Sequence, residues 1–351
     1  IRYSEIFEED ICKYFGVKHA VSTTSGTTAL HLALCAMDIK RGDKILCSVN
    51  SFPNVAEVIR HFDAEPVFVD IDPISFNITS ESLARTIDQN RHKKLKCAFI
   101  SHIAGLAADI DAISEVAKSE NIILIDDACR AMGATYKGAK IGALKSSLIS
   151  CFQINPQAQD AISTAGFFVT NDDEIASAAQ ILRNGGIVGD AFYKDGNMSF
   201  TYDVDRIGQK YDLDAINSAY AIAQFAKTDA FIKRRKQIAA AYREQLANCP
   251  HVTLPSDSEE HIYTQFIVKI DKNRDDFAKA LISRGVSVSL HYVPVHLLSY
   301  YKNKYNYKVN DFPNALKNYQ QILSLPIYTA LSDDDVSYIC EQIKEIAQNR
   351  V

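Results

Sequence analysis

The sequence predicts an α/β fold: a large N-terminal unit with a mostly parallel central sheet flanked by helices, followed by a smaller α+β unit. Three observations carry this expectation. Through the first 200 or so residues, short β-rich runs alternate with helical runs, as in strand–crossover–strand units. The β-rich runs are apolar at successive positions, as strands covered on both faces must be. Beyond residue 228 the pattern changes to one long amphipathic helix and then a mixture of strands and helices.

Taken in order, GTTALHLALCAM (26–37) reads as a helix opening just after Ser25-Gly26, and DKILCSV (43–49) as a short strand. SFPNVAEVIRHF (51–62) is helical and EPVFVDID (65–72) is a strand. SESLARTIDQ (80–89) is a helix with Ser80 at its N-cap, since a hydroxyl there accepts a free first-turn N–H. LKCAFISHI (95–103) is a buried strand, DIDAISEVAKSEN (109–121) a helix and IILIDDA (122–128) a strand. DAFIKRRKQIAAAYREQLANC (229–249) is the long connecting helix. After it, YTQFIVKID (263–271) and VSVSLHYVP (286–294) read as strands, and 274–285 and 333–349 as helices. The expected division is a large domain over 1–228 and a connecting helix with a small domain over 229–351.

The net charge of −5 gives no basic excess for a phosphate backbone to attract, so nucleic acid is not an expected partner. The basic clusters at 91–96 and 233–236 are short and read as solvated faces. The eight cysteines form no C-x-x-C pair, and several sit in apolar runs. Reduced, buried thiols in a cytoplasmic protein are expected, and no zinc or other metal. No apolar run approaches the ~18 residues that a membrane helix needs. No signal peptide is read at the start, and an opening Ile in place of Met predicts that residues precede it.

Three stretches could carry chemistry. TTSGTTAL (23–30) sets Ser25, Gly26 and Thr27 at a helix start, where free N–H groups and the helix dipole favour an anion. A plain N-cap explains the same residues. IILIDDACRAMGATYKG (122–138) puts two carboxylates at the C-terminal end of a strand, where open α/β sheets place ligands. A buried Asp there pairs with a cation, such as a pyridinium nitrogen, or caps the next helix. Phe52, just beyond a strand end, could stack on a flat ring or pack in the core.

In this order and at these separations the three stretches resemble the DegT-type sugar aminotransferases, fold type I enzymes that use pyridoxal phosphate (PLP). The resemblance covers nearly the whole chain, through FGVKHAVSTTSGTTALHLAL, GDKILCSVNSFPNVAEVIRHFDAEPVFVDID, HIAGLAADID, LIDDACRAMGATYKGAKIGAL, GFFVTNDDEIASAAQILRNGGI and RRKQIAAAY. HYVPVHLLSYY (291–301) is similar to the branch that aminates C4 of UDP-linked keto sugars. The resemblance implies a homodimer with shared active sites, glutamate as amino donor and a nucleotide-linked sugar as substrate. It implies that Ser25, Gly26 and Thr27 cradle the phosphate, Phe52 stacks on the ring and Asp127 pairs with the pyridinium nitrogen. That pairing keeps the ring an electron sink. Arg130 falls among the cofactor-site residues, and His291, Tyr292 and His296 fall near the sugar nucleotide. Many members of the family begin roughly thirty residues earlier.

The next block departs from the pattern. The family reads roughly Phe-Ser-Phe-His-Pro-x-Lys-x-Ile-Thr-Thr-Gly-Glu-Gly-Gly, and its lysine bonds to PLP and shuttles a proton. Anchored on FVTND and Phe152, the gap-free alignment sets Ala158 on that lysine, Gln153 on the phosphate-binding Ser and AISTAG (161–166) on the Gly-rich run. No lysine lies between Lys145 and Lys194. The family's Gly-Tyr-Asn-Tyr-Arg loop, which crosses from the partner subunit, reads GQKYD (208–212), with Lys210 on the Asn and Asp212 on the Arg. Two origins stay open: replacement of a single lysine, or natural divergence of the whole cofactor site. The chain is therefore expected to be inactive in transamination as it stands. A degenerate relative that binds a sugar nucleotide, or acts without a PLP bond, is the alternative function. Replacement of the lost amine by Lys210 of the partner chain is a weaker third, since the aligned Asn addresses the phosphate end.

Overall fold

The computed structural model describes residues 2–154, 164–189 and 202–349. Among these, the main sheet has seven strands. They are β1 (His19–Thr23), β2 (Lys44–Ser48), β3 (Glu65–Val69), β4 (Leu95–Ser101), β5 (Ile123–Asp127), β6 (Ile149–Ile154) and β7 (Ala165–Thr170). Their order is β1-β7-β6-β5-β4-β2-β3. The run from β6 to β3 is parallel, and β7 lies antiparallel to both neighbours. This is the mixed α/β architecture with a mostly parallel sheet that the sequence predicts. Pro66 sits in β3, and β3 is an edge, the place where a missing N–H costs no ladder bond.

The strands are buried on both faces. Ile45, Cys47, Cys97, Phe99 and Ile125 enter one core with α2 (Gly26–Ala36) and α3 (Asn54–Arg60). Their neighbours Leu46, Ala98, Ile100 and Leu124 enter another with α4 (Ser80–Gln89) and α5 (Ile110–Ser119). A period of two thus splits each apolar run between two layers. A helix not read from sequence, α1 (Tyr3–Phe15), buries Phe7, Ile11 and Phe15 at four-residue spacing and ends at Gly16 with φ +69°. The cap of α4 is Thr79 rather than Ser80, with its side chain accepting from the Ser82 N–H.

Toward the C-terminus, β8 (Val252–Thr253), β9 (Phe266–Ile270) and β10 (Ile322–Leu325) form an antiparallel sheet. It shares a core with α8 (Thr228–Leu246) through Ile238, Ala239, Tyr242 and Leu246. The same core takes Val336, Ile339, Cys340 and Ile343 of α12 (Asp333–Gln348). Residues 286–294 do not form the expected strand. Only Ser289 bridges to Ser324, after which the chain leaves this sheet and crosses to the large one. Val295 N–H donates to Val49 O at 2.8 Å, and Tyr292, Val295 and Tyr301 are buried in the core of the large sheet. Between β9 and β10 lie α9 (Arg274–Ser283), α10 (Ser299–Tyr305) and α11 (Pro313–Gln321), and before α8 come α6 (Asp173–Arg183) and α7 (Ala215–Phe225).

Candidate active site

The C-terminal ends of β2, β4 and β5 and the start of α2 surround a cavity of about 250 Å³. At one wall, Ser25 caps α2: its Oγ accepts from Thr28 N–H at 3.2 Å, while Thr28 Oγ1 accepts from Ser25 N–H at 2.9 Å. Thr28 is thereby satisfied, and the first-turn N–H groups of Gly26 and Thr27 have no intrahelical acceptor. Close approach is built in. A Cβ on Gly26 would lie 2.8 Å from Cys129 Sγ and 2.9 Å from Gln153 Cβ, and one on Gly166 would lie 2.0 Å from Ser25 O. Thr27 Oγ1 accepts from Asn54 Nδ2 at 3.0 Å, which ties α3 to the start of α2.

The two adjacent carboxylates of β5 part company. Asp126 is fully buried beneath the site, accepting from Ser147 Oγ at 2.8 Å and Ser150 Oγ at 2.6 Å. Buried His102 approaches it, Nε2 to Oδ1 3.4 Å. Asp127 lines the cavity, with its Oδ2 accepting from Ser101 Oγ at 3.0 Å. Ser101 faces Asp127 because β4 and β5 pair in that register. Phe52 lines the same cavity and is 57% exposed, with Tyr292 edge-on at 6.1 Å between centroids. So large an exposed aromatic is not core packing.

Arg130 and Tyr292 close the cavity opposite. Burial works against the Arg130 charge, but Tyr292, Cys129 and Asp127 outweigh it and raise its pKa. Burial, helped by Arg130, lowers His291 to about 4, so that ring is neutral near pH 7. Its Nδ1 lies 2.8 Å from Ser324 Oγ, outside the cavity wall. His296 is fully buried, with Nε2 3.1 Å from Val309 O, and does not line the cavity either. Lys210 is exposed and bridges to Asp212 at 2.9 Å, away from this chain's own cavity. Ala158 lies outside the described residues. No lysine is among the described lining residues.

Ser51, Asn54, Ser101 and His102 also line the cavity; the sequence reading did not single them out. Pairing of β4 with β5 was the available signal for Ser101, and Phe52 for its neighbours. Among the described residues, no cluster of three or more His, Cys, Asp or Glu is placed to hold a metal, and no helix is long and apolar enough to cross a membrane. All eight cysteines are free thiols.

Residues 2–344 match the DegT/DnrJ/EryC1/StrS aminotransferase family. The chain is 34% identical to the uncharacterized protein MJ1066 of Methanocaldococcus jannaschii, over 98% of this chain and 90% of that one. It is 31% identical to the spore coat polysaccharide biosynthesis protein SpsC of Bacillus subtilis, over 97% and 89%. Among solved structures, DesV of S. venezuelae, in complex with a ketimine intermediate, superposes with a TM-score of 0.89 at 27% identity. That match covers all of this chain and 90% of DesV. A DegT/DnrJ/EryC1/StrS aminotransferase from Brucella abortus gives a TM-score of 0.86 at 27% identity, over 98% and 90%.

Proposed function

As this chain belongs to the DegT/DnrJ/EryC1/StrS aminotransferase family, we propose that it holds PLP and a nucleotide-linked keto sugar, of the UDP type, in the cavity above β5, without bonding to the cofactor. Enzymes of this family use PLP, which when bound serves as an electron sink for moving an amino group. One observation carries the reading: a cavity that joins an N–H-rich helix start, a ring-sized aromatic and a fixed carboxylate belongs to a chain whose sequence has Ala158 where the family lysine aligns.

The residues present fit the cofactor. Gly26 leaves no room for a side chain where a phosphate would approach the α2 start. Thr27 adds a hydroxyl and Gln153 an amide at the same end. Asp127, oriented by Ser101, would pair with the pyridinium nitrogen and keep it protonated. Phe52 offers a face to stack on. Arg130 and Tyr292 stand at the substrate side, and Tyr292 is the residue we assign to sugar contact. His291, kept neutral, backs Tyr292, and His296 acts at one remove by pinning its segment to Val309 O. Ala158 supplies neither an amine to bond the cofactor nor a base to move a proton. Glutamate would be the amino donor of the restored enzyme. A partner subunit would bring its Lys210 toward the phosphate end, and the free thiols suit a reducing, cytoplasmic setting.

The test is spectroscopic. PLP should bind the unaltered chain without the visible band of a lysine-bonded cofactor, and Ala158→Lys should create that band together with amino transfer from glutamate to a UDP-linked keto sugar. If Ala158→Lys gives neither band nor transfer, the transaminase ancestry of the site does not extend to its chemistry. A second reading has its own support: Gln153, AISTAG (161–166), Lys210 and Asp212 all depart around one end of the cofactor site. This favours a diverged sugar-nucleotide binder, and UDP-sugar binding with no measurable PLP binding would select it.

A further inference from the structure

The free edge of β3 borders a cavity of about 870 Å³ that shares no described lining residue with the cofactor cavity. Small-molecule sites span roughly 300–1,000 Å³. Three cations line it from three elements: Lys44 of β2, Arg85 of α4 and Lys304 of α10. Among the described residues none of the three has an ion-pair partner. The carboxylates of the same wall are otherwise engaged. Glu65 accepts from Arg60, Nη1 to Oε1 2.7 Å, and from the Tyr305 hydroxyl. Asp70 closes the start of α11, accepting from the N–H groups of Asn314 at 3.1 Å and Ala315 at 3.0 Å. Of the described lining carboxylates this leaves Asp311, exposed and with one oxygen on Lys308 N–H at 2.8 Å, against three cations. The wall therefore carries an excess of positive charge.

A second observation adds a flat ring to the requirement for an anion. Tyr305, Tyr307 and Phe312 line the cavity, each half-buried. Their rings follow one another, with centroids 5.7 Å apart for Tyr305 and Tyr307 and 5.5 Å for Tyr307 and Phe312. Asn306, in the left-handed region at φ +54°, ends α10 between the two tyrosines. Arg85 and Gln89 lie four apart on α4, so one helix face offers a guanidinium and, a turn later, an amide. The strand edge itself is ill-suited to a peptide. Glu65 N–H donates to Asp43 O and Val49 N–H to Val69 O, so residues 65, 67 and 69 turn their backbone groups to β2, and 66 and 68 turn theirs outward. Pro66 has no N–H, which leaves Phe68 N–H as the outward donor of β3, too little for an added strand.

We propose that this cavity binds a nucleoside diphosphate, with the base stacked on the wall of Tyr305, Tyr307 and Phe312 and the diphosphate held by Arg85, Lys304 and Lys44. Aromatic faces beside lysine and arginine suit a base followed by phosphates. A diphosphate spreads its charge over several oxygens, which matches cations supplied by three separate elements. The guanidinium forks onto two of those oxygens, and the ammonium groups act as point charges. Gln89 is left for the sugar hydroxyls. The site is separate from the cavity above β5 and does not rest on the functional reading given to that cavity.

Calorimetric titration of the unaltered protein with ADP, UDP, their parent nucleosides and inorganic pyrophosphate, each with and without saturating PLP, tests the assignment. At least one of the two nucleotides should bind at least tenfold tighter than its nucleoside and than pyrophosphate, and PLP should not displace it. In saturation-transfer NMR its base protons should take up more saturation than its ribose protons. Arg85→Met and Lys304→Met, both at exposed positions, should each weaken it about tenfold while the melting temperature of the ligand-free protein holds. The proposal is overturned if neither nucleotide binds, or if pyrophosphate comes within tenfold of both, which would make this an unspecific anion site. It is equally overturned if PLP displaces the nucleotide, or if either variant leaves its affinity intact, since the nucleotide would then lie elsewhere. Ribose protons saturated more strongly than the base would remove the stacking wall from the site and defeat the assignment.

Discussion

Asp126 and Asp127 are neighbours with different expected consequences, because successive side chains of a strand point to opposite faces. Asp126 serves two serine hydroxyls and faces His102 in a closed interior. Asp126→Ala strands those donors, and a loss of about 3 kcal/mol is expected in urea unfolding. Asp127→Asn should leave stability within about 0.5 kcal/mol but weaken PLP binding about tenfold or more, read by titration. Equal loss of stability in both variants would show that Asp127, too, is a structural carboxylate. Three histidines add a pH dependence. Burial lowers His31, His261 and His291 each from 6.5 to about 4. Between those values the unfolded chain binds protons that the folded chain refuses, so stability falls as the pH drops from about 6.5 to about 4. Above 6.5 these groups contribute no slope. A urea midpoint that moves to lower concentration through this window checks the sign, and a midpoint that rises on acidification contradicts it.

At the level of elements, the site depends on how tightly α2 sits on β7. Gly166 allows it, since any Cβ would overlap Ser25 O. Gly166→Ala must push the α2 start away from the sheet, at a cost of about 1–3 kcal/mol, and cofactor affinity should fall with it. Ser25→Ala, which removes one half of a capping box, should cost only about 1 kcal/mol. Urea unfolding of both variants ranks them, and the reverse order would mean that capping rather than close packing holds the helix start. The parallel strands and the helices between them were legible in the sequence because burial on both faces leaves unbroken apolar runs. Residues 286–294 were not. Val-Ser-Val-Ser-Leu alternates as a strand should, but alternation says nothing of which partner is within reach, and of residues 286–294 only Ser289 bridges to Ser324. The first helix is legible in the four-residue spacing of Phe7, Ile11 and Phe15 and in Gly16 at its end.

Across the whole molecule, the cavity at the ends of β2, β4 and β5 was legible in Thr27, Phe52 and Asp127, which line it, because each belongs to a local motif at a strand or helix end; that it holds a cofactor stays a proposal. Ser101 was not legible: its place opposite Asp127 depends on strand register, which no local pattern encodes. The boundary expected at 228/229 stays a proposal, and α8 has ties on both sides of it: Ile232 packs with the core of α1, and Ile238 to Leu246 with that of α12. The expected dimer rests on similar reasoning. Ile187 is 42% exposed, and Val204, its partner in a short antiparallel ribbon, 48%. Ile207 is 87% and Ile216 83% exposed, on the stretch that carries Lys210. Four aliphatic side chains left in water around a cation that points away from its own cavity suit a surface covered by a second copy, related by a two-fold axis. If that copy completes the phosphate end of each cofactor site, Ile207→Asp with Ile216→Asp should turn a dimer into a monomer in light scattering and weaken PLP binding in the same variant. Lys210→Ala should weaken PLP while leaving the dimer intact. A monomeric unaltered protein that binds PLP equally well would separate the exposed isoleucines from the site and confine the cofactor to a single chain.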